Sequence, residues 1–216
     1  MTTVTEQPQG AIRFGKETQF MKFATQTDRV EAFSDGVFAV IITIMVLELR
    51  PPPGTDFHSL LLALPSIATY AVSFVFVAIY WNNHHHMLRA SAGVDGAAMW
   101  ANLNLLFWLS LVPFSTAWLG RNPFALGPTV LYATVFFLDG LAYALLQHAL
   151  VVVNGRETPF GRAIAGDVKG RASLLLYVIG IGGAFVSTIV TDITIVTVAL
   201  IWLVPDRRFE PLINIK

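Results

Sequence analysis

Six apolar stretches, 36–49, 59–81, 97–119, 128–153, 172–190 and 193–204, alternate with short polar segments along this chain. Most reach or approach the roughly 20 residues that carry a helix across about 30 Å of hydrocarbon. The pattern predicts an all-α polytopic membrane protein with six transmembrane helices. A polar segment 1–27 precedes one six-helix domain, 28–205, and a polar tail 206–216 follows it. The spans fall near 28–49, 58–84, 96–119, 127–153, 169–190 and 192–206. Pro51-Pro52-Pro53-Gly54 ends span 1, because consecutive prolines remove amide donors and cannot continue a helix. Gly120-Arg121-Asn122-Pro123 does the same after span 3, and Asn154-Gly155 opens the longest inner loop, 154–171. Only twelve apolar residues lie between Asp192 and Pro205, about 18 Å of helix, so span 6 has to borrow from its polar flanks or lie against protein. No internal repeat appears, which withholds support from an inverted-repeat transporter.

Basic residues set the orientation. With the N-terminus inside, all of the fourteen Lys and Arg residues except Arg50 and Arg121 fall on the inner side. An odd number of spans would strand Arg207-Arg208 outside. Six spans with both termini cytoplasmic, in the cell membrane, is therefore the expected topology.

Composition agrees. The chain is 55% hydrophobic and 13% charged, against about 25% charged in an average soluble domain, and its mean hydropathy is +0.62. Fourteen acidic residues balance the basic ones, so no basic field exists to hold nucleic acid. The absence of cysteine excludes disulfides, iron–sulfur clusters and thiolate metal sites. Segment 1–27 has no apolar run, so no secretory signal is expected.

Span 1 carries the densest pattern. At 100° per residue, Phe33, Gly36, Val37, Val40, Ile44 and Leu47 form one stripe, with Thr43 at its edge. Periodicity alone reads this stripe as ordinary packing. Asp35 points almost the opposite way, and a carboxylate facing lipid is costly, so Asp35 has to meet a donor on another helix. At the inner end of span 2, Trp81 and His84 are i, i+3 neighbours. His84, His85 and His86 point 100° apart, so they cannot converge on one metal ion without unwinding; no metal and no cofactor is expected.

Arg29-x-x-x-Phe33-Ser34-Asp35, continuing Gly-Val-Phe-Ala, resembles the signature that opens the first helix of the lysosomal potassium channel family (transmembrane protein 175) and its prokaryotic relatives. Trp81-Asn82-Asn83-His84-His85, then Asn102 and Pro113-Phe114, follow in the same order. The resemblance covers roughly 29–120. It implies a six-helix subunit that assembles as a homotetramer, four copies of helix 1 lining a central pore. Val40, Ile44 and Leu47 would then form stacked hydrophobic rings with Thr43 between the first two. It also implies an inner polar network of Arg29, Phe33, Ser34, Asp35, Trp81, His84 and Asn102. The partners implied are a second copy of the chain, the lipid bilayer and permeant K⁺ or other monovalent cations.

No Thr-Val-Gly-Tyr-Gly loop is present to supply a ring of carbonyls. Gly180-Ile181-Gly182-Gly183 reads as close helix packing instead. Selectivity is then expected from partial dehydration at the aliphatic rings, which costs the less tightly hydrated K⁺ less than Na⁺. Glu48, at the outer end of span 1, is a candidate outer cation ring in four copies. Asp139 falls mid-span, where an ionised carboxylate costs about 2.5–3.5 kcal/mol; Asn104 and Ser110 are its expected partners. An alternative function is a proton-coupled transporter that relays protons through Asp139 and His148. An enzyme is not expected, since no nucleophile motif or His-x-x-x-His pair accompanies these groups.

Overall fold

The computed structural model describes residues 9–203, with side chains from Gln26 onward, and all regular structure in that range is helical. The expected tail 206–216 lies outside the described residues. Helix α1 is Gln9–Leu47, α2 Phe57–Ala90, α3 Gly96–Leu109, α4 Val112–Arg121, α5 Leu126–Asn154, α6 Pro159–Ala165, α7 Val168–Gly183 and α8 Thr188–Leu203. Four stretches are long and apolar enough to cross a membrane: 26–47 of α1, α2, α3 with α4, and α5. The α7–α8 hairpin adds two shorter rods of 16 residues each, about 24 Å apiece.

Local chemistry explains the breaks. Between α3 and α4 the chain turns at Ser110-Leu111, which places Pro113 in the first turn of α4, where its missing N–H costs nothing. Asp95 caps α3 by accepting the Ala98 N–H at 2.8 Å. Thr158 caps α6, which lies inside the inner loop. Asn154 ties that loop to the α2–α3 connection, accepting from the Ala92 N–H at 2.6 Å and donating to the Ser91 hydroxyl at 3.0 Å.

The turn between the last two spans differs from the sequence expectation. It falls at 184–187, not near 191, and Asp192 lies within α8. Phe185 and Val186 occupy the turn and are exposed, so an apolar turn concealed the boundary while the charged residue suggested one. Small residues let α8 return closely: the Thr191 hydroxyl donates to the Gly180 carbonyl at 2.8 Å, and a Cβ at Gly180 or Gly183 would stand 2.4 Å or less from Thr194 or Val190.

The core is formed around α5, which packs most extensively on α3 and also on α7 and α4. Phe76 of α2 meets Phe136 of α5 with ring centroids 4.4 Å apart. In the outer half, Ser73, Thr116 and Tyr132 form a buried hydroxyl cluster joining α2, α4 and α5, both links 2.8 Å. Nearby the Ser66 hydroxyl donates to the Gly120 carbonyl at 2.8 Å, and a Cβ on Gly120 would stand 2.9 Å from the Ser66 Cα. Gly120→Ala therefore has to push α4 off α2. It should lower thermal stability by about 1–3 kcal/mol, whereas Gly182→Ala, with open space around it, should not; melting of the two variants decides.

Asp56 caps α2 in the loop outside the spans. Its carboxylate accepts the Ser59 hydroxyl at 2.5 Å and the Ser59 N–H at 3.0 Å. These bonds, the hydroxyl's first, hold the carboxyl below its usual range. A depressed folded pKa contributes stability above the unfolded value that is lost as pH falls through the folded one. Ser59→Ala should thus show a smaller loss of thermal stability on acidification from about pH 5 to about pH 2.

Candidate functional site

Helix α1 presents three distinct faces. Ser34, Phe38, Ile41 and Met45, at i, i+4, i+7 and i+11, are all buried within the subunit. Roughly 110° around the helix, Phe33, Val40, Ile44 and Leu47 are exposed by 56%, 54%, 43% and 80%. A shallow apolar groove follows this stripe, with Ser110 and Pro113 of the α3–α4 break on its other side. Thr43 is also exposed, and its hydroxyl donates to the Val40 carbonyl at 2.9 Å. That bond uses the proton and leaves the oxygen lone pairs available to an outside group.

The third face carries Asp35, whose Oδ1 accepts the Trp81 indole N–H of α2 at 2.8 Å. Beside it a buried relay joins three helices. His84 Nε2 of α2 lies 2.7 Å from Asn102 Oδ1 of α3; because that oxygen only accepts, Nε2 carries the proton. The Asn102 amide then donates to the Ser34 hydroxyl of α1 at 3.0 Å, and Ser34 donates to the Val30 carbonyl at 2.8 Å. His84, Asn102 and Ser34 are all buried, so each bond stands where water cannot replace it. Two residues expected in this network lie elsewhere. Phe33, one 100° step from Ser34, belongs to the exposed stripe. Arg29 is exposed, and among the described residues no bond joins it to the relay.

The structure adds a member that the sequence reading missed. His85 Nδ1 lies 2.7 Å from Glu31 Oε1, and Arg89 Nε lies 3.5 Å from the same oxygen. Glu31 and Asp35 are i, i+4 on α1, facing Trp81, His85 and Arg89 at i, i+4 and i+8 on α2. That matched spacing is the signal from which the cluster was readable. The three histidines diverge, His84 towards Asn102 and His85 towards Glu31.

Just past the end of α1, Glu48 forms an ion pair with Arg121 at the end of α4, 2.5 Å apart. A cation beside every Glu48 leaves no net charge on the pair, which works against an outer cation ring.

Comparison with known proteins places this geometry. The family model described as endosomal/lysosomal potassium channel TMEM175 matches residues 29–113, from α1 to the α3–α4 break. A potassium channel of Chryseobacterium sp. (strain P1-3) is 44% identical over 182 residues, which cover 84% of this chain and 95% of that protein. The chain belongs to the TMEM175 family. The family is one of ion channels, not enzymes. The crystal structure of a lysosomal potassium-selective channel TMEM175 homolog from Chamaesiphon minutus superposes with a TM-score of 0.74 at 28% identity, covering 84% of this chain and 98% of that one. The endosomal/lysosomal proton channel TMEM175 of Gallus gallus is 42% identical over 72 residues, 28% of this chain and 14% of that protein.

The stretch matched by the TMEM175 model contains the α1 stripe and the whole inner network, and ends before Asp139. That residue is fully buried, and among the described residues neither carboxyl oxygen has a hydrogen-bond partner. Ser110 is not its partner, because the Ser110 hydroxyl donates to Phe107 of its own helix at 2.6 Å, and no bond links Asn104 to it. The next residue, Gly140, lies against Tyr80 of α2 and Tyr177 of α7. The relay with His148 is broken geometrically. Nine residues turn the helix half-way round and rise about 13.5 Å, and His148 is exposed while Asp139 is buried.

Proposed function

We propose that the protein is a potassium-preferring cation channel of the cell membrane, a homotetramer with both termini cytoplasmic and four copies of α1 around its pore. The observation that carries this reading is the stripe of Val40, Ile44 and Leu47, exposed on a helix that buries another face in its own subunit. A single stripe cannot enclose a pore; four can. The names of the bacterial relatives, potassium channels from Chryseobacterium and Streptomyces collinus, support the choice of ion.

In this arrangement the three aliphatic rings lie about 6 Å and then 4.5 Å apart along the axis. They strip part of an ion's hydration shell without replacing it, and the penalty is smaller for K⁺ than for Na⁺. The four Thr43 oxygens, their protons committed to Val40 carbonyls, return some coordination between the first two rings. Proton permeation is the second reading, favoured by the Gallus gallus relative, a proton channel. A reversal potential that follows a pH gradient instead of a K⁺ gradient would select it.

The absence of native cysteine makes a direct test available. Ile44→Cys should place a thiol in the water path, so that a charged thiol-specific reagent blocks the current. Met45→Cys, one residue on and buried, should be untouched. Equal reactivity of the two, or block of neither, would remove the stripe from the pore.

A further inference from the structure

Away from α1, the fold encloses a cavity of about 260 Å³ between α2, α5 and α7. It lies where α2, which packs mainly on α4, α1 and α8, reaches α5 only through long side chains such as Phe76 against Phe136 and Tyr80 against Tyr143. Trp202 of α8 closes one side, held by a 2.9 Å bond from its indole N–H to the Ser173 hydroxyl. The deep end is Gly140, where an added Cβ would stand 3.6 Å from the Tyr80 hydroxyl and 3.8 Å from the Tyr177 ring. Gln147 lines the other end, seven residues and about 10 Å further along α5. Phe76, Tyr143 and Leu174 make the walls between, so the body of the cavity is apolar and the rim, beside the 154–171 loop, is polar.

The rim carries two cations, Arg171 and Lys169, against one carboxylate, Asp167. Asp167 is saturated, its Oδ1 accepting the Gly170 N–H at 2.8 Å and its Oδ2 the Gln147 amide at 3.1 Å. Arg171 spends two of its five N–H groups on the Asp167 and Ala165 carbonyls, both at 3.0 Å. Three donors and the full positive charge remain. Lys169 sits at the same end, its ammonium 5.8 Å from the Trp202 ring centroid.

We infer that this cavity binds an acidic amphiphile from the inner side, its apolar body against the aromatic walls and its carboxylate or phosphate head on Arg171. The site is separate from the α1 stripe and does not depend on the pore assignment. Both ends of the ligand are specified: an apolar part about as long as the Gly140–Gln147 rise, and an anionic head, since both oxygens of Asp167 are taken while Arg171 keeps three donors at the rim.

The test uses the full-length protein in phosphatidylcholine vesicles and a terminally brominated decanoate, which quenches tryptophan on contact. Saturable quenching is expected, competed by plain decanoate and lost in Trp202→Phe. Arg171→Gln should raise the half-saturating concentration at least tenfold, and brominated decanol should bind wild type at least tenfold more weakly than the carboxylate. The same competition from phosphatidylglycerol in the vesicles would assign the head to a leaflet lipid; indifference to it would assign a free amphiphile. Ala144→Phe, which fills the cavity wall, should abolish saturation. The head-group series on wild type needs no variant and decides by itself. Tighter binding of brominated decylammonium than of the carboxylate, or quenching that never saturates and is equal in Ala144→Phe, overturns the proposal.

Discussion

Replacing Ile44 by alanine should raise single-channel conductance several-fold and lower the K⁺ over Na⁺ permeability ratio by about tenfold, a barrier difference of about 1.4 kcal/mol. The reasoning is steric and electrostatic together. Each subunit loses three carbons from an exposed position of the α1 stripe, and in the proposed tetramer the ring widens enough for an ion to keep more of its water. Once both ions stay hydrated, the penalty that separates them fades. The control lies three residues earlier. Ile41 is buried within the subunit, so Ile41→Ala should cost about 2–5 kcal/mol of stability through a cavity and leave selectivity alone. Single-channel recordings of Ile44→Ala, paired with thermal unfolding of both variants, separate the two roles. An unchanged permeability ratio in Ile44→Ala would take this ring out of selection.

Asn102→Leu should be clearly destabilising. Asn102 is the only link between His84 of α2 and Ser34 of α1 among the described hydrogen bonds. Leucine has similar bulk but no polar atoms, so the buried His84 Nε2–H is left unmatched, while Ser34 loses a donor but still donates to the Val30 carbonyl. A buried donor left unmatched costs about 1–3 kcal/mol, visible as a clear drop in melting temperature. Asn102→Asp keeps the acceptor for His84 and should retain part of what Asn102→Leu loses. Equal stability of wild type and Asn102→Leu would mean that the relay does not hold the three helices together.

Much of this was legible in the sequence because its signals are local. Apolar run lengths give the helices, and the prolines at 51–53 mark a break that the fold uses, whereas span 3, read as one stretch 96–119, is split at Ser110-Leu111. The 3.6-residue period separates the exposed stripe of Val40, Ile44 and Leu47 from Asp35, whose need for a donor is met by Trp81. The misses have one physical origin, since each depends on where a distant helix lies. Glu48 and Arg121 are 73 positions apart, and nothing near either announces the pair. The α7–α8 turn carries Phe185 and Val186, and hydropathy cannot tell an apolar turn from an apolar helix. Asp139 was assigned partners on span 3 by its depth in the membrane, but neither Asn104 nor Ser110 bonds to it. Glu31 and His85 were readable through matched i, i+4 ladders on α1 and α2, provided that the two helices were known to be neighbours.

The most direct test of the account is the reversal potential of the purified full-length protein in a planar bilayer, with KCl on one side and NaCl on the other at equal pH. A current that reverses towards the K⁺ equilibrium potential, without added substrate, is the predicted result. Reversal at zero, or no current across a range of voltage and pH, would contradict a potassium-preferring pore built on α1.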